Sequence, residues 1–587
     1  MKYFIPEWDD RVDPKYDFIT DTHSQMHKEN AELNDVYMWD IFGLENVPFD
    51  GILISKMKIM QNKKKYQLII EKGVHEVLRL PKSFEIMGDC GAWGYITHDE
   101  PPFKTKEIIE YYARCGFNYG VSIDHLIVPA VFKNNPQEKK RRWKITIENA
   151  QEFLDIWMSK DKYIKTFRPI GVAQGWDIES YKRAVIELLN MGYDYIGLGG
   201  LAKTQTGKLG SETQSKLLLP VLEGVWSVVK KYTNKTKKKI DIHVFGVARP
   251  NHFQTLASLG VTSFDSASPL RRAWLGATSN YFSINGKHYS AIRVPQTDRS
   301  PRAKRIIKEG KVTFQQLQKL EKQCLQLIRD YDKGLIDVNT VLKSILDYDK
   351  LIGEGREQFA RYFERTLRDR PWEKCPCQIC RTIGVEVIIF RGNNRNRRRG
   401  FHNTWVFYQQ FRKMDPRILV FTNCTAKKDK NPKLLPAFQR YLPSPVFKVF
   451  WENVYDLPVE IGILSAKFGL IDWSKRIPYY DYKMQESDVE KFVEELKEKL
   501  KRYNKVFFIG LGLYRKVVQQ VKEETGYDIE IYPKMEFTNR GKLDIIEYTK
   551  QMKLFREAIL NAIPEPSRPI SDKKVIKNHP TLEDFIK

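Results

Sequence analysis

Residues 169–200 read PIGVAQGWDIESYKRAVIELLNMGYDYIGLGG, and their pattern indicates a fold class. An apolar run at 169–173 precedes an amphipathic stretch at 178–191, and a second apolar run follows at 195–199. Short apolar runs of this kind are typical of buried parallel strands, and the stretch between them is typical of a helix. A right-handed crossover sets two such strands side by side, so we predict an α/β fold with parallel strands.

The same alternation extends on both sides of this stretch, from about residue 50 to residue 275. Five further apolar runs predict strands, namely GILIS (51–55), FEIMG (84–88), YGVSI (119–123), IHVFG (242–246) and VTSF (261–264). Amphipathic segments predict helices at 147–158, 220–232 and 251–259. Repeated strand–helix units fit either a TIM (β/α)8 barrel or an open doubly wound sheet.

The residues that follow the predicted strands favour the barrel. Five strands end next to a polar side chain or a glycine, at Asp89, Asp124, Gln174, Gly200 and Asp265. The loops after the strands of a barrel converge on one mouth, where an active site forms. At each single position the alternative is that the aspartate only caps a turn or a helix.

The chain of 587 residues exceeds one compact core, so we expect several domains. Helical patterns at 314–331, 338–347 and 357–368 follow the barrel, and a second α/β pattern begins after residue 417. We predict a barrel over 1–300, a helical and zinc-binding subdomain over 301–412, a C-terminal α/β domain over 413–560 and a tail over 561–587.

A cysteine-rich segment predicts a metal site. Cys375, Cys377 and Cys380 lie within six residues, and His402 follows 22 residues after the last of them. Three thiolates and one imidazole form a closed tetrahedral site, which suits one structural zinc ion per chain. The alternative is three free cysteines on a loop.

An arginine-rich run lies between these predicted ligands. Tethered at both ends by the metal, it becomes a candidate phosphate clamp through Arg395, Arg397, Arg398 and Arg399. The alternative is an ordinary solvated loop.

The composition is strongly basic. Lys and Arg total 98 against 73 Asp and Glu, a formal charge of +25, which indicates a polyanionic partner such as nucleic acid. No apolar run approaches the length of a membrane span, and the first residues lack the order of a secretory signal. We therefore expect no membrane partner and a location in the cytoplasm of a bacterium or of a phage-infected host.

Seven motifs in order resemble the tRNA-guanine transglycosylase superfamily, most closely its DNA-acting branch, the DpdA family of 7-deazaguanine DNA transglycosylases. They are MGDCGAWG (87–94), SIDHL (122–126), VAQGW (172–176), LGGLA (198–202), GVARPNH (246–252), SFDSASPLRRA (263–273) and the cysteine cluster with HNTWVFYQQ (402–410). The sequence departs from the family pattern at Cys90–Ala92 and at Ala248–Pro250, and the first departure leaves the substituent on the deazaguanine open.

This resemblance implies roles for individual residues. Asp265 would be the nucleophile that attacks C1′ of the target nucleotide, and Asp89 the general acid and base. Asp124 would read the N1–H and the 2-amino group of a guanine-like ring. The remaining contacts to the base would come from Gln174, Gly199, Gly200, Leu201 and Trp93, although Trp93 is alternatively a core residue.

The resemblance implies an exchange of guanine in DNA for a 7-deazaguanine base, most simply 7-cyano-7-deazaguanine. In duplex DNA the guanine would have to be flipped out, and we expect Arg271 and Arg272 to help hold the backbone. Accessory DNA-modification proteins are possible partners. The alternatives are a tRNA-guanine transglycosylase, a glycosylase that hydrolyses, and a non-catalytic zinc-containing nucleic-acid-binding protein.

The C-terminal α/β domain resembles a small domain of uncertain role that also occurs beside other deazaguanine enzymes. Lys427, Lys428 and Lys467 at the ends of its predicted strands are candidates for phosphate binding. A purely structural or duplex-positioning role is the alternative.

Overall fold

Eight parallel strands close into a barrel in which each strand pairs with the next along the chain. The computed structural model describes residues 1–128, 132, 134–201, 211–247, 250–275, 278–352, 357–534 and 545–564. The strands are β1 (Lys2–Pro6), β2 (Gly51–Ser55), β3 (Glu85–Asp89), β4 (Tyr119–Val121), β5 (Arg168–Ala173), β6 (Tyr195–Leu198), β7 (Asp241–Val244) and β8 (Ser263–Asp265). The predicted TIM barrel is confirmed.

The first strand, β1, was not recognised in the sequence. It pairs with both β2 and β8 and thereby closes the barrel. About 45 residues separate it from β2, and they form only short helices (Gln25–Asn34 and Met38–Phe42). Without a long amphipathic segment behind it, KYFIP gives no strand–helix signal. Ala248 and Arg249, Ala202 and residues 565–587 of the predicted tail lie outside the described residues.

Alternating residues of the barrel strands fill two separate cores. Phe4 belongs to a cluster inside the barrel, whereas its neighbours Tyr3 and Ile5 pack outward against the helices. This period of two is expected of a strand with both faces buried. The other inward residues of the cluster are Leu53, Met87, Val121, Ile170, Val172 and Tyr195.

Helices surround the barrel, and the helix Ile178–Met191 has the bounds that the sequence predicts. It begins where the Asp177 carboxylate accepts a hydrogen bond from the Ser180 N–H at 2.8 Å, and it ends at Gly192 with φ of 106°. An N-cap acceptor and a left-handed glycine define such helix ends. Other helices of the barrel are Lys63–Lys72, Thr105–Cys115, Pro136–Met158, Ser211–Thr236, Phe253–Ser258 and Ser268–Leu275.

A helical region follows the barrel and shares its hydrophobic core. Its longest helices are Phe314–Asp332, Val338–Ile352, Ala360–Asp369 and Gly392–Met414. Phe411 in the last of these packs edge-on against Phe264 of β8, with ring centroids 5.1 Å apart. The boundary at residue 300 stays a prediction, because the core is continuous across it.

The arginine-rich run is helical. It lies in the helix Gly392–Met414, where the Arg395 side chain is only 1% exposed. Arg395 Nε donates to Glu386 at 2.7 Å, and its Nη1 pairs with Asp21. Both carboxylates belong to the same chain, so this guanidinium holds the fold together.

Two further arginines of the run are buried in the same way. Arg399 Nη2 donates to the carbonyl oxygen of Ala273 at 2.7 Å, and Arg398 donates to another backbone carbonyl at 2.7 Å. The prediction that Arg395, Arg398 and Arg399 bind nucleic acid is wrong, because their donors are already used inside the protein. Arg397 is partly exposed, and a nucleic-acid contact there stays a prediction.

The C-terminal region forms a second core around a five-stranded sheet. In order across the sheet its strands are Gly469–Asp472, Glu460–Ser465, Ile418–Asn423, Lys505–Ile509 and Ile529–Tyr532, and only the first is antiparallel. The longer helices are Pro445–Val454, Val489–Leu500, Gly512–Thr525 and Ile545–Ala562. None of the helices in the described residues combines the length and apolarity of a bilayer span.

Buried ion pairs join the second core to the amino ends of the barrel strands. Asp50, directly before β2, accepts from Arg417 at 2.8 Å and also pairs with Arg412. Lys2 in β1 lies 3.8 Å from Glu460, the first residue of its strand. The C-terminal region therefore covers the end of the barrel opposite the mouth.

We expect Arg395→Met to lower the free energy of unfolding by about 3–5 kcal/mol, because it leaves Glu386 and Asp21 buried without their cation. Arg397→Met, at the partly exposed neighbour, should cost much less. Thermal and urea unfolding of both variants would measure this. An unchanged stability in Arg395→Met would contradict the structural role.

Candidate active site

Three aspartates meet at the carboxyl ends of the barrel strands. Asp89 and Asp265 are the last residues of β3 and β8, and Asp124 lies three residues after β4. The charges of Asp124 and Asp265 both act on Asp89. The structure thus brings together the three carboxylates that the sequence selects.

The Asp265 carboxylate is held by hydrogen-bonding groups at one of its two oxygens. Its Oδ1 accepts the Gly246 N–H at 2.9 Å and lies 3.2 Å from His243 Nε2. The other ring nitrogen of His243 is 2.8 Å from the Ser263 hydroxyl, which is 2.6 Å from the Tyr195 hydroxyl. Among the described residues Asp265 Oδ2 has no hydrogen-bond partner, so one oxygen is fixed and the other is open.

His243 is a site residue that sequence reasoning missed. It lies in the middle of a predicted strand, within the apolar run at 242–246, and this run gives no sign of a site residue. The strand period is the signal that could have found it, because His243 pairs in register with Ser263, two residues before Asp265. A buried histidine at this position orients the carboxylate of the neighbouring strand.

Asp124 and Gln174 form a buried pair. Gln174 Nε2 donates to Asp124 Oδ2 at 2.6 Å, while its Oε1 accepts the Ile127 N–H at 3.3 Å. The hydrogen bond from the Ile127 N–H therefore fixes the orientation of the Gln174 amide. Only one oxygen of Asp124 is used by Gln174, and the other is available to a ligand.

Two glycines allow the backbone to approach this pair. A side chain at Gly199 would put its Cβ 2.1 Å from Gln174 Nε2. At Gly200 the φ of 75° also disfavours any other residue. Leu201, the next residue, is buried beside them.

Burial makes two of these carboxylates weaker acids. It raises the pKa of Asp89 to about 8, with further increases from Asp124 and Asp265, against backbone hydrogen bonds that lower it. Burial also raises the pKa of Asp124 to about 6, although the hydrogen bond from Gln174 opposes this. Asp89 is therefore protonated near neutral pH and can act as an acid.

The turn after β3 exposes a tryptophan at the mouth. Trp93 is 48% exposed, so the alternative of a core tryptophan is wrong. Gly91 permits this turn with a φ of 84° and has no room for a Cβ beside Ser55. Cys90 is fully buried, and burial raises the pKa of its thiol, which makes it unsuited as a nucleophile.

A cationic and aromatic rim lies beside the mouth. Arg271 is in the helix Ser268–Leu275, just after Asp265, and its guanidinium is 4.5 Å from the ring centroid of Trp8. Lys58 Nζ is 5.2 Å from the same ring, and Trp8 is 37% exposed. Arg272, the next residue of this helix, is exposed. The sequence reasoning missed Trp8 because it missed β1, which ends two residues earlier.

The predicted metal ligands converge in a buried cluster. His402 Nδ1 lies 3.6, 3.3 and 3.3 Å from the sulfur atoms of Cys375, Cys377 and Cys380. Its Nε2 lies 2.7 Å from the Phe282 carbonyl oxygen, so an Nε2–H donated there leaves Nδ1 as a ligand. The cluster can hold a metal ion.

The comparisons with known proteins agree with this geometry. A DNA-guanine transglycosylase of Salmonella montevideo is 37% identical over 426 residues, which is 70% of this chain and 96% of the relative. The chain belongs to the DNA-guanine transglycosylase family. It is therefore a glycosyltransferase-type enzyme.

More distant relatives support the superfamily. The tRNA-guanine(15) transglycosylases of Pyrococcus furiosus and Sulfolobus acidocaldarius are each 25% identical, over 38% and 41% of this chain. These alignments span only 34% and 43% of the relatives. A scan of family models matches nothing.

We expect Cys380→Ser to lose the bound metal and to unfold at a lower temperature, because a closed site contributes its binding free energy to folding. Cys324→Ser is the control, since Cys324 is buried in the same helical region outside the cluster. Elemental analysis and thermal unfolding would measure both effects. Full metal content in Cys380→Ser would contradict the assignment.

We expect Asp89→Asn to raise the melting temperature more at about pH 9 than at about pH 5. The folded state binds the Asp89 proton more tightly than the unfolded chain, so wild-type stability falls as the pH rises toward 8. The side chain in Asp89→Asn does not ionise, so this variant does not lose stability over the same pH range. The exposed Asp298→Asn is the control, and a pH-independent difference between Asp89→Asn and wild type would contradict the raised pKa.

Proposed function

We propose that this enzyme exchanges guanine in DNA for a 7-deazaguanine base, most simply 7-cyano-7-deazaguanine. One observation carries the proposal. Asp265 has one oxygen held by hydrogen bonds and one oxygen open, and the protonated Asp89 lies across the mouth from it. One group can attack a sugar carbon while the other supplies a proton to the departing base. The family membership supports the same chemistry.

In the first step Asp265 Oδ2 attacks C1′ of the target nucleotide. The glycosidic bond breaks, its electron pair stays with guanine, and guanine takes the proton of Asp89. In the second step the 7-deazaguanine base returns a proton to Asp89, and its ring nitrogen attacks C1′ and releases Asp265. Each displacement is easier than a direct exchange. His243 and Gly246 would keep the nucleophile aligned through both steps.

Asp124 is the proposed reader of the base. Its free oxygen would accept from the N1–H and the 2-amino group, which adenine cannot offer in the same arrangement. The backbone of Gly199, Gly200 and Leu201 would approach the opposite edge of the ring. Exposed Trp93 would cover the face of the bound base.

The relative named for DNA supports DNA as the polymer, since it aligns over nearly its whole length, whereas the relatives named for tRNA align over less than half. The rim of Trp8, Arg271 and Arg272 supplies cations for phosphates beside the mouth, and its ring can stack on a base. These contacts would offset the few kcal/mol needed to flip a guanine. The metal we propose is a structural zinc ion.

We expect labelled 7-cyano-7-deazaguanine to enter duplex DNA and not tRNA when each is incubated with the purified enzyme. Asp265→Ala should lower the rate at least about a thousandfold, because it removes the nucleophile. Asp298→Ala, on the exposed surface, is the control. Without added base, wild type should form a covalent adduct with DNA that denaturing gels detect and that Asp265→Ala lacks.

Incorporation into tRNA alone would contradict the DNA proposal and leave the chemistry intact. Repeated release of guanine without any added base would instead indicate a hydrolase. Full activity of Asp265→Ala would overturn the assignment of the nucleophile.

A further inference from the structure

The C-terminal sheet has a topological switch point, here called the crevice, at the carboxyl end of its central strand, Ile418–Asn423. The chain leaves this strand toward Glu460–Ser465 on one side, and Lys505–Ile509 later pairs on the other side. In open α/β sheets the loops diverge at such a switch point, and ligands bind in the gap they leave. The proposed base exchange does not use this crevice.

A connected set of polar side chains lines the crevice. The Tyr480 hydroxyl is 2.6 Å from the Tyr441 hydroxyl and 2.8 Å from the Ser465 hydroxyl. Ser465 ends its strand and accepts the Lys467 N–H at 3.3 Å, which fixes the turn that carries this lysine. Cys424 Sγ, from the central strand, is 3.1 Å from the Tyr514 hydroxyl.

Lys428 is the observation that points to a ligand. The residue is only 8% exposed, and its ammonium lies 4.6 Å from the centroid of the Tyr480 ring. Lys467 Nζ lies 5.9 Å from the same ring. Within the part of the chain that the structure describes, the Lys428 ammonium has no hydrogen bond and no carboxylate partner. The side chain is largely covered, and an anion in the crevice would supply a counter-charge that the described residues do not.

The loop that carries Lys428 is rigidly built. The buried Arg440 donates to the carbonyl oxygens of Asn431 at 2.8 Å and of Lys433 at 2.6 Å. Asp429, next to Lys428, donates its N–H to the Arg440 carbonyl oxygen at 2.8 Å. Lys428 is therefore held in place by the fold, unlike a solvated surface lysine.

The helix Gly512–Thr525 begins at the same edge, directly after the neighbouring strand. Its unpaired N–H groups and its dipole favour an anion at this end. A side chain at Gly510 would place a Cβ 2.3 Å from Phe508 Cζ and 2.4 Å from Asn423 Oδ1, so glycine allows the ends of these two strands to pack closely.

We propose that this crevice binds the phosphoryl group of a free phosphorylated small molecule, such as a nucleoside monophosphate, through Lys428 and Lys467. The amino ends of the sheet strands face the barrel, since Glu460 and Arg417 pair with Lys2 and Asp50 there. The crevice, at the carboxyl ends, opens away from the mouth. This separation from the mouth favours a separate small ligand over the DNA held there.

The test uses the full-length protein with inorganic phosphate, AMP and a DNA duplex as separate probes. We expect phosphate or AMP to raise the melting temperature of wild type. Titration calorimetry should give binding at least about tenfold weaker in Lys428→Met. Lys430→Met is the matched control, because Lys430 is exposed on the same loop and should bind as wild type does. Base exchange should be unaffected in both variants.

Lys428→Met should melt at about the same temperature as wild type without ligand, because the Lys428 ammonium makes no hydrogen bond or ion pair among the described residues. A purely structural lysine would instead lower the melting temperature. Lys467→Met should also weaken binding. Because Lys467 is exposed, this variant tests the proposal even if Lys428→Met does not fold.

The proposal is overturned if neither phosphate nor AMP binds wild type, or if Lys428→Met binds them as Lys430→Met does. Weaker duplex binding in Lys428→Met without any binding of the small probes would also overturn it, in favour of a DNA contact. Loss of base exchange in Asp265→Ala tests a different site, so failure of one proposal does not imply failure of the other.

Discussion

Three carboxylates share a small space at the barrel mouth, away from bulk water. Closure of eight parallel strands brings Asp89 and Asp124, which follow the adjacent strands β3 and β4, close to Asp265 at the end of β8. Burial and the charges of the other two aspartates raise the pKa of Asp89, so the fold favours a proton on this group. Asp265 has an imidazole and a backbone N–H beside it, whereas Asp89 has two carboxylates as its charged neighbours. The roles of nucleophile and acid that we propose for Asp265 and Asp89 follow from these different neighbours.

At the opposite end of the barrel a buried carboxylate is paired with cations. Burial alone would raise the pKa of Asp50, but Arg412 and Arg417 hold it below its usual value. Here a buried carboxylate is fully paired, and it ties the barrel to the long helix and to the C-terminal sheet. One fold thus uses paired acids at its base for cohesion and poorly paired acids at its mouth for chemistry.

The barrel and the three aspartates could be predicted because strand period and residue order are local properties of the chain. His243 could not be predicted, since its role depends on which face of its strand points inward. Trp8 could not be predicted either, since it follows β1, a strand that lacks a following helix. The burial of the arginine-rich run could not be predicted, for a related reason. Charge density says nothing about burial, and Arg395 and Arg399 meet Glu386, Asp21 and backbone carbonyls that are distant in sequence.

The net charge of +25 has a more specific meaning in the folded protein. Buried arginines that pair with carboxylates cancel within that total, and a buried arginine such as Arg399 donates to backbone carbonyls instead of facing a polyanion. The cations that matter for a polyanion are the few held at a defined place without an acidic partner. Arg271 over Trp8 at the mouth and Lys428 over Tyr480 in the distant crevice share this feature of a cation set on an aromatic ring. An aromatic ring stabilises a cation without neutralising it, so both sites keep their charge available to a phosphate.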